Sequence, residues 1–577
     1  AEICRKVDGI PLAIELAAAR VNILQVDEIL QQLKESFQVL ASQSRTTSPR
    51  HQTLQASVDW SWGLLDEIER VFLRQLSIFA GGWTLESAQA VCDGNVLDLT
   101  SALVEKSLIV VKQQTGRLTR YRFHEIVREY ALRKLIESGD KNKLHTWHLG
   151  YFLGLAERAE VALRGPSLVD WMERLNDERN NFRIALHWAD QIDVEAGLYL
   201  SSRLMRYWES VNLTEGRRWL ENFINKPESK DFPLARAHAL NTYSWLLTWL
   251  QQFDRALPVA EESLALFRAA GDRQGELDVL ISVENMHQFR DEIEISVEIG
   301  KQTVALAQSL GDRWRLANAY LYLGWGYHDL GQRFGYWEKA IQLYREVGDQ
   351  ILLANLLGLM GQFRVLNGEF ELGEKFVDEA LRLWEANRRA NIWDNPRVTK
   401  SLIAMMNGEY EEAETLLREV MVTAQESGNR MSYLWAQNRL GHVMLRSGNL
   451  TEAHQLLTDT AQNFKKDGYA IGVVFALEGV ADLFVSVGKP DHAARLIGWA
   501  DDMREKTQDA RPNTEQADVD KLIAACLAKM GEVAFSDAYD QGQAMTLDEA
   551  VRFAVGDEEK KMTVEQPVEF TPKKIHE

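Results

Sequence analysis

The sequence of 577 residues is poor in three features that would point to particular classes of protein. It has only three cysteines, Cys4, Cys92 and Cys526, which are too few and too far apart for a disulfide framework or a metal site. It has no run of 18 apolar residues, so no membrane-spanning helix is predicted. It also lacks a basic excess, because 65 Lys and Arg stand against 85 Asp and Glu. A net charge of -20 disfavours nucleic acid as a partner, and the free thiols predict a cytoplasmic protein.

Motifs for chemistry are absent as well. The phosphate-binding loop G-x-x-x-x-G-K-[S/T] does not occur in these residues. The segment 124–128, HEIVR, falls short of the zinc-protease motif H-E-x-x-H because Arg128 stands where the second ligand would be. No nucleophile elbow, zinc spacing or pair of catalytic carboxylates emerges. We therefore predict that this chain is not itself an enzyme and holds no metal.

A repeat of about 40 residues, a period typical of helical solenoids, is the strongest positive signal. The turns at 407–413, 447–453 and 487–493 align with one another at their glycines. A small residue follows each turn in the same step, except between Ser296 and Gly373, where the interval falls three positions short of two full repeats. These small residues are Gly216, Ala256, Ser296, Gly373, Ala413, Ala453 and Ala493. The period predicts a mostly α protein with a right-handed α-solenoid of about eight tetratricopeptide-like helix pairs, one of them shortened by three positions.

Residues 51–140 have a different pattern, which predicts a small domain of three helices, a β-hairpin and a closing helix. The predicted elements are helices Val58 to Phe79, Leu85 to Val91 and Val96 to Lys106, strands Leu108 to Val111 and Arg120 to Phe123, and helix Glu125 to Ile136. Three helices followed by a hairpin are the winged-helix arrangement.

The other predicted boundaries follow from helical periodicity and composition. They are a helical segment at 1–50, a helical linker at 141–192, the solenoid at 193–510, a helical cap at 511–556 formed by a terminal helix pair in 515–555, and a disordered tail at 557–577. The chain begins at Ala1 inside a predicted helix, so we expect it to be a piece of a longer protein.

Several segments together resemble one family. The segment 4–20, CRKVDGIPLAIELAAAR, resembles the G-x-P motif in the helical domain of STAND signalling ATPases (the AP-ATPase or NB-ARC-like group). The segments 51–61, HQTLQASVDWS, and 76–85, LSIFAGGWTL, resemble the winged-helix domain of bacterial members. Phe123-His124-Glu125 lies where that family keeps a Met-His-Asp-type sensor, and the repeats resemble the tetratricopeptide repeats that follow there. The resemblance covers roughly residues 1–555. The sequence differs from the family's motif at Phe123 and Glu125, which stand in place of Met and Asp.

The resemblance implies a role for two residues and for the chain. In that family the proline packs against the nucleotide base and the histidine reaches the ADP β-phosphate, which implies those roles for Pro11 and His124. ADP or ATP with Mg would be held in a full-length parent that adds an N-terminal nucleotide domain, and no cofactor is expected in this chain alone. A signal on the repeats would open an ADP-bound closed state and permit self-association, with an output in transcriptional regulation or signalling. From the residues alone, Pro11 could simply open a helix at its first turn, and His124 could be a surface or capping histidine at the start of its helix.

The predicted binding site is the concave face of the solenoid, which the first helix of each pair lines. Amide, imidazole and indole side chains recur on that face, and such groups can clamp a peptide backbone and anchor a partner. The predicted groove residues are His238, Asn241, Trp245, Asn285, Asn318, Trp325, Asn355, Gln362, Trp435, Asn438 and His442. The expected partner is a protein, a peptide or a small-molecule signal. The tryptophans could instead pack between repeats.

Two alternative functions stay open. One is a non-catalytic interaction scaffold. The other is a DNA-binding transcriptional regulator, although the candidate recognition helix, Val96 to Lys106, carries one lysine against two acids, so we do not expect direct DNA binding. A phosphate-binding loop upstream of Ala1 would favour the ATPase, and the absence of such a loop would favour the scaffold. A basic helix upstream would favour DNA binding.

Overall fold

The structure is a computed structural model. It describes residues 3, 14, 17–18, 21, 24–31, 57–113, 118–250, 252–290, 292–327, 329–387, 396–427, 429–507 and 509–556. The chain divides into two compact units, Ala1–Leu163 with Asp170–Val279, and Arg164–Val169 with Leu280–Glu577. In the described part of the chain, no helix has both the length and the apolar character needed to cross a bilayer.

Almost all of the described secondary structure is helical, as predicted. Residues 57–63 are helical. The elements that follow are α1 Glu67–Leu76, α2 Leu85–Val91, α3 Val96–Glu105, β1 Val110–Lys112, β2 Arg120–Arg122, α4 Glu125–Ser138, α5 Lys141–Ala162, α6 Leu168–Asp177, α7 Arg179–Ile192, α8 Val194–Arg203, α9 Met205–Val211, α10 Leu213–Ile224, a 3-10 turn Pro227–Asp231, α11 Pro233–Trp249, α12 Phe253–Ala270, α13 Arg273–Phe289, α14 Ile293–Leu310, α15 Arg313–Trp325, α16 Leu330–Val347, α17 Gln350–Leu366, α18 Phe370–Ala386, α19 Pro396–Asn407, α20 Tyr410–Ser427, α21 Arg430–Ser447, α22 Leu450–Lys466, α23 Ala470–Ser486, α24 Pro490–Thr507, α25 Asn513–Met530, α26 Glu532–Gln543 and α27 Leu547–Val555.

The single helix predicted from Val58 to Phe79 is wrong, because the chain forms two helices there. The first covers residues 57–63, and α1 begins only after Asp66. The Asp66 carboxylate accepts from Glu69 N (2.8 Å), and the Glu69 carboxylate accepts from Asp66 N (3.1 Å). This capping box satisfies the amides that begin a new helix, so it interrupts the apolar periodicity that had suggested one long helix.

The rest of residues 67–138 follows the predicted order of elements. β1 pairs antiparallel with β2, with Val111 opposite Tyr121, and Trp83 adds a bridge to Tyr121 through two 2.8 Å backbone hydrogen bonds. Gly82, at φ 109°, precedes that bridge, and a Cβ there would collide with the Tyr121 carbonyl oxygen. The Trp83 side chain is fully buried and packs against Phe123, with ring centroids 4.8 Å apart.

Within the described ranges, seven regular helix pairs run from Pro233 to Thr507, and their second helices keep the predicted step. These helices begin at Phe253, Ile293, Leu330, Phe370, Tyr410, Leu450 and Pro490. The step between them is constant except from Ile293 to Leu330, where it is three positions shorter. The shortened repeat is therefore the α15–α16 pair, since α15 has 13 residues where α13 and α17 have 17. Before the regular pairs, α8 and α10 are separated by the short helix α9.

A small residue lets the two helices of a pair cross closely. A methyl group at Gly324 of α15 would lie 2.5 Å from Trp337 Cδ1 of α16, so only glycine fits. The α13–α14 pair reverses this arrangement, with Glu284 on the first helix and Gly300 on the second, where a methyl group would overlap Glu284 Oε1. The first helices of the other pairs carry a small residue at the position of Glu284, namely Ser244, Gly324, Gly361, Ser401, Gly441 and Ala481. Helix packing thus explains both this recurring small residue and the exception at Glu284.

The terminal pair predicted in residues 515–555 is three helices. Gly531, at φ 81°, ends α25, and a capping box at Thr546 begins α27. α26 packs closely along α24, where Gly498 approaches the backbone of Tyr539. α25 contacts α17, α23 and α24. Pro11 and the predicted tail at 557–577 lie outside the described residues.

Candidate functional site

The first helices of successive pairs lie side by side in the second unit. α17 contacts α19, α19 contacts α21, and α21 contacts α23. We call the surface that these four helices form the first-helix face. It contains the predicted groove residues Asn355, Gln362, Trp435, Asn438 and His442.

The asparagines predicted to line the groove are buried in the structure. Their exposed fractions are at most 8%, for Asn241, Asn285, Asn318, Asn355 and Asn438. Asn318 Nδ2 donates to Trp314 O at 2.9 Å, within its own helix. In contrast, Asn355 Oδ1 and both polar atoms of the Asn438 amide have no hydrogen-bond partner within the described residues. These two amides therefore have unused hydrogen-bonding capacity on the first-helix face.

The predicted tryptophans pack against other aromatic residues of the repeats. The Trp435 ring centroid lies 5.3 Å from those of Phe464 and Phe475, and Trp245 packs edge-on against Trp249 at 6.2 Å. These contacts agree with the alternative interpretation that the tryptophans stabilise the stack. Trp325 makes similar contacts. Trp325, Trp435 and Gln362 are all partly exposed.

A buried arginine lies beside Trp325. The Arg333 guanidinium is 4.7 Å from the Phe363 ring centroid and 5.6 Å from that of Trp325, and its Nε donates to Tyr327 O at 3.0 Å. Burial lowers the pKa of Arg333 to about 10, so it is charged at neutral pH. Within the described residues no carboxylate pairs with it. A cation held on aromatic rings in this way can attract an anionic group.

The two predicted histidines are uncharged at neutral pH. Burial lowers the pKa of His238, and its ring packs against Phe267 at 4.9 Å. Burial, followed by the charges of Arg439 and Arg446, lowers the pKa of His442 to about 3. Its Nε2 has no hydrogen-bond partner in the part of the chain that the structure describes. His442 is therefore a neutral imidazole on the first-helix face.

A buried ion-pair cluster adjoins the same face, and no pattern in the sequence indicated it. Glu478 of α23 accepts two hydrogen bonds from Arg504, at 2.8 and 2.9 Å, and one from Arg511, at 2.7 Å. Arg504 also pairs with Asp509 at 2.5 Å, and Arg439 of α21 pairs with Glu515 of α25 at 3.3 Å. Glu478 and Arg504 are 26 positions apart and meet only after α24 folds back on α23, so no local spacing could reveal the cluster.

His124 lies at the start of α4, directly after the hairpin. It is half-buried, has extended backbone angles, and makes no capping hydrogen bond with its side chain. Its imidazole therefore does not cap the helix, and a surface histidine remains the alternative interpretation. The structure does not test His124 or Pro11 as a nucleotide contact. Pro11 lies outside the described residues.

Comparison with known proteins identifies the repeats. Residues 398–466, which include most of α19 and all of α20 to α22, match the tetratricopeptide repeat family. The second unit therefore contains tetratricopeptide repeats.

Two mycobacterial relatives match the chain to different extents. A Mycobacterium bovis protein, named provisionally as an HTH-type transcriptional regulator, is 28% identical over 655 residues, which covers 96% of this chain and 72% of that protein. An uncharacterized Mycobacterium tuberculosis protein is 44% identical over 146 residues, which covers 24% of this chain and 37% of that protein.

Two solved structures are distantly similar. A STAND protein with a tetratricopeptide repeat sensor from Pyrococcus horikoshii has a TM-score of 0.39 at 14% identity, covering 76% of this chain and 71% of that chain. The apo quorum sensor NprR from B. thuringiensis has a TM-score of 0.41 at 18% identity, and the match covers 60% of this chain and 97% of that chain. Neither score reaches the level that would establish a common fold.

Proposed function

We propose that this chain is the regulatory and sensor portion of a STAND-type signal-transduction ATPase. The observation that carries the proposal is the order of its parts, in which α1 to α3, the β1–β2 hairpin and the closing helix α4 precede tetratricopeptide repeats. The name of the mycobacterial relative that aligns with 96% of the chain supports an output in transcription. In this proposal the chain itself catalyses no reaction, and nucleotide chemistry belongs to a full-length parent.

In this proposal residues 57–138 form a winged helix that couples the repeats to a nucleotide domain. His124 suits one edge of an ADP site, because its imidazole is half-buried, makes no capping bond and can donate to a phosphate oxygen. Bound nucleotide would supply a charged link that holds the nucleotide domain closed. Pro11 would contribute an apolar contact to the base. These two residues form only part of a site, and the rest would come from the nucleotide domain.

The repeats would supply the sensor. A signal that binds the first-helix face more tightly in the open state than in the closed state would shift the population toward opening and self-association. Asn355, Asn438 and His442 on the first-helix face have unused hydrogen-bonding groups that suit a protein or peptide. Arg333 of α16, whose guanidinium packs on the Phe363 ring of α17, adds a positive charge beside that face.

Direct DNA binding through α3 is disfavoured by its surface. The exposed positions of this helix include Leu97, Asp98 and Glu105, which offer an apolar side chain and two negative charges to a phosphate backbone. A transcriptional output would therefore act through another domain of the parent.

The test is the coding sequence upstream of Ala1, followed by the nucleotide content of the full gene product. We expect a strand, a phosphate-binding loop and an acidic Walker B strand, and ADP that co-purifies with the protein. His124→Ala should then lower the retained ADP, whereas Arg128→Ala, one turn further along α4, should not. A gene without a phosphate-binding loop would reject the ATPase proposal and leave an interaction scaffold.

A further inference from the structure

Helix α25 contacts the first-helix face near both of its ends. In its first turn, Thr514 Oγ1 donates to Leu366 O at the end of α17 (2.8 Å). In its last turn, Lys529 Nζ lies 3.4 Å from Val485 O near the end of α23.

Opposite charges hold the N-terminal half of α25 on this face. Glu515 Oε1 lies 3.3 Å from Arg439 Nη2, and Asp518 Oδ2 lies 2.9 Å from Arg446 Nη2. Glu515 and Asp518 are three residues apart, and the two arginines are two turns apart on α21, so each pair lies along one side of its helix. Acidic groups on α25 therefore meet basic groups on α21.

Apolar residues follow the same side of α25 in helical spacing. Val519 and Cys526 are buried, at 5% and 0% exposure, and Leu522, Ile523 and Met530 are partly buried against the same core cluster. The opposite side carries exposed residues such as Asp520 and Lys521. α25 is thus an amphipathic helix lying on a row of other helices, which is how helical peptides bind in grooves.

The fit between α25 and its surroundings is incomplete. Both polar atoms of the buried Asn438 amide and Nε2 of His442, one turn later on α21, have no hydrogen-bond partner within the described residues. Buried polar groups without partners cost stability. A helix that paired these groups would bind this face better than α25 does.

We propose that α25 is an internal occupant of the first-helix face and that an acidic amphipathic helix of a protein partner replaces it. The inference rests on the proposed sensor role of the repeats, and it names the chemistry of their ligand. It does not depend on the nucleotide domain, so a gene without a phosphate-binding loop would leave it intact.

The test measures binding of a labelled peptide to the full chain by fluorescence anisotropy. The probe has the sequence of residues 513–530 with Cys526→Ser. The opened variant, Glu515→Lys with Asp518→Lys, loses the ion pairs to Arg439 and Arg446. It should bind the probe at least about tenfold more tightly than the wild type, because α25 covers the wild-type face for most of the time. The matched control, Asp520→Lys with Asp537→Lys, makes the same charge change at exposed positions and should keep the wild-type affinity.

Two further variants keep the proposal falsifiable. Glu515→Gln with Asp518→Asn removes the charges without changing side-chain size, and it should give a smaller gain even if the lysine variant fails to fold. Adding Arg439→Ala and Arg446→Ala to the opened variant should abolish binding. Equal affinity of wild type and both α25 variants would overturn the proposal, and so would no binding by variants that keep the wild-type far-UV circular dichroism spectrum.

Discussion

Two glutamates buried on first helices, Glu284 in α13 and Glu478 in α23, are accommodated in opposite ways. Glu478 is hydrogen-bonded to Arg504 and Arg511. Glu284 has no exposed surface, and neither of its carboxylate oxygens has a partner among the described residues. Burial raises the pKa of Glu284 well above its ordinary value, so a proton neutralises it instead. The repeats thus accept a buried acid either by pairing it with cations or by keeping it protonated.

The steric settings of the two residues differ as well. Glu284 occupies the position that is small in the other pairs, and Gly300 opposite it makes the room. Glu478 instead points to the arginines of α24 and of the turn that leads into α25. The break in the small-residue pattern at Glu284 is therefore a local packing exchange. At Glu478 the acid fixes the C-terminal segment to the repeats.

Removal of the paired acid should have the largest effect. Glu478→Ala leaves Arg504 and Arg511, which are 5% and 7% exposed, without their shared carboxylate. Breaking a buried ion pair costs about 3–5 kcal/mol, and we expect a loss of that size in urea unfolding of the full chain. The control is Glu505→Ala, an exposed acid of the same helix as Arg504. A loss no larger than the control's would mean that the cluster does not stabilise the fold.

Filling the space opposite Glu284 should have the next largest effect. Gly300→Ala places a methyl group against Glu284 Oε1, and overpacking of this kind costs about 1–3 kcal/mol. Adding Glu284→Ala should relieve the contact with the carboxylate but not the one with Leu323 Cδ1, which would lie 2.8 Å from the added methyl group. A double-mutant cycle measures the part that is relieved. Gly335→Ala is the control, because no atom lies within 4 Å of its added methyl and the change should stabilise the helix. A stabilising Gly300→Ala would contradict the packing exchange.

The unpartnered acid should make stability depend on pH. The folded-state pKa of Glu284 is raised above its unfolded value of 4.5. The contribution of Glu284 to the free energy of unfolding is therefore largest below pH 4.5, and it is lost as the pH rises toward the folded pKa. The slope within that window is about 1.4 kcal/mol per pH unit. Glu284→Gln should remove it, so the difference from wild type in urea unfolding should grow as the pH rises above 4.5. Parallel curves for wild type and variant would show that Glu284 is charged or paired in the fold.

The smallest effect is expected at Asn438, which lacks partners as Glu284 does but carries no charge. Asn438→Leu exchanges a buried amide without hydrogen-bond partners among the described residues for an apolar group of similar size. Stability should stay within about 1 kcal/mol of wild type or rise. The same change should weaken binding of any helix that uses the amide. A large loss of stability would reveal a partner for Asn438 in solution.

Much of the repeat architecture could be predicted because it depends on local spacing. The regular step of the small residues predicted where the second helices begin, and the shortened interval before Gly373 predicted that one repeat is three positions shorter. The order of helices and strands around Gly82 also followed from local pattern. The long helix through Asp66 was wrong because the prediction followed apolar spacing alone and overlooked the D-x-x-E pattern of Asp66 and Glu69, which forms a capping box.

The binding surface could be predicted only in outline. The sequence predicted that the first helix of each pair lines the binding surface, but it did not show that residues such as Asn355 and Asn438 are buried. It predicted a terminal helix pair and could not show that α25 returns to Leu366, because that contact joins residues 148 positions apart. Long-range pairing of this kind depends on the curvature of the stack, which no local spacing encodes.

The most direct test of the account is amide hydrogen exchange of the intact chain, with and without the peptide of residues 513–530. If α25 is a replaceable occupant, its amides should exchange through an opening that leaves α21 and α23 protected, and added peptide should speed exchange in α25 of the chain. Exchange of α25, α21 and α23 at one common rate that the peptide does not change would contradict it. In that case α25 would be a fixed part of the repeat core, and the first-helix face would not be the sensor surface.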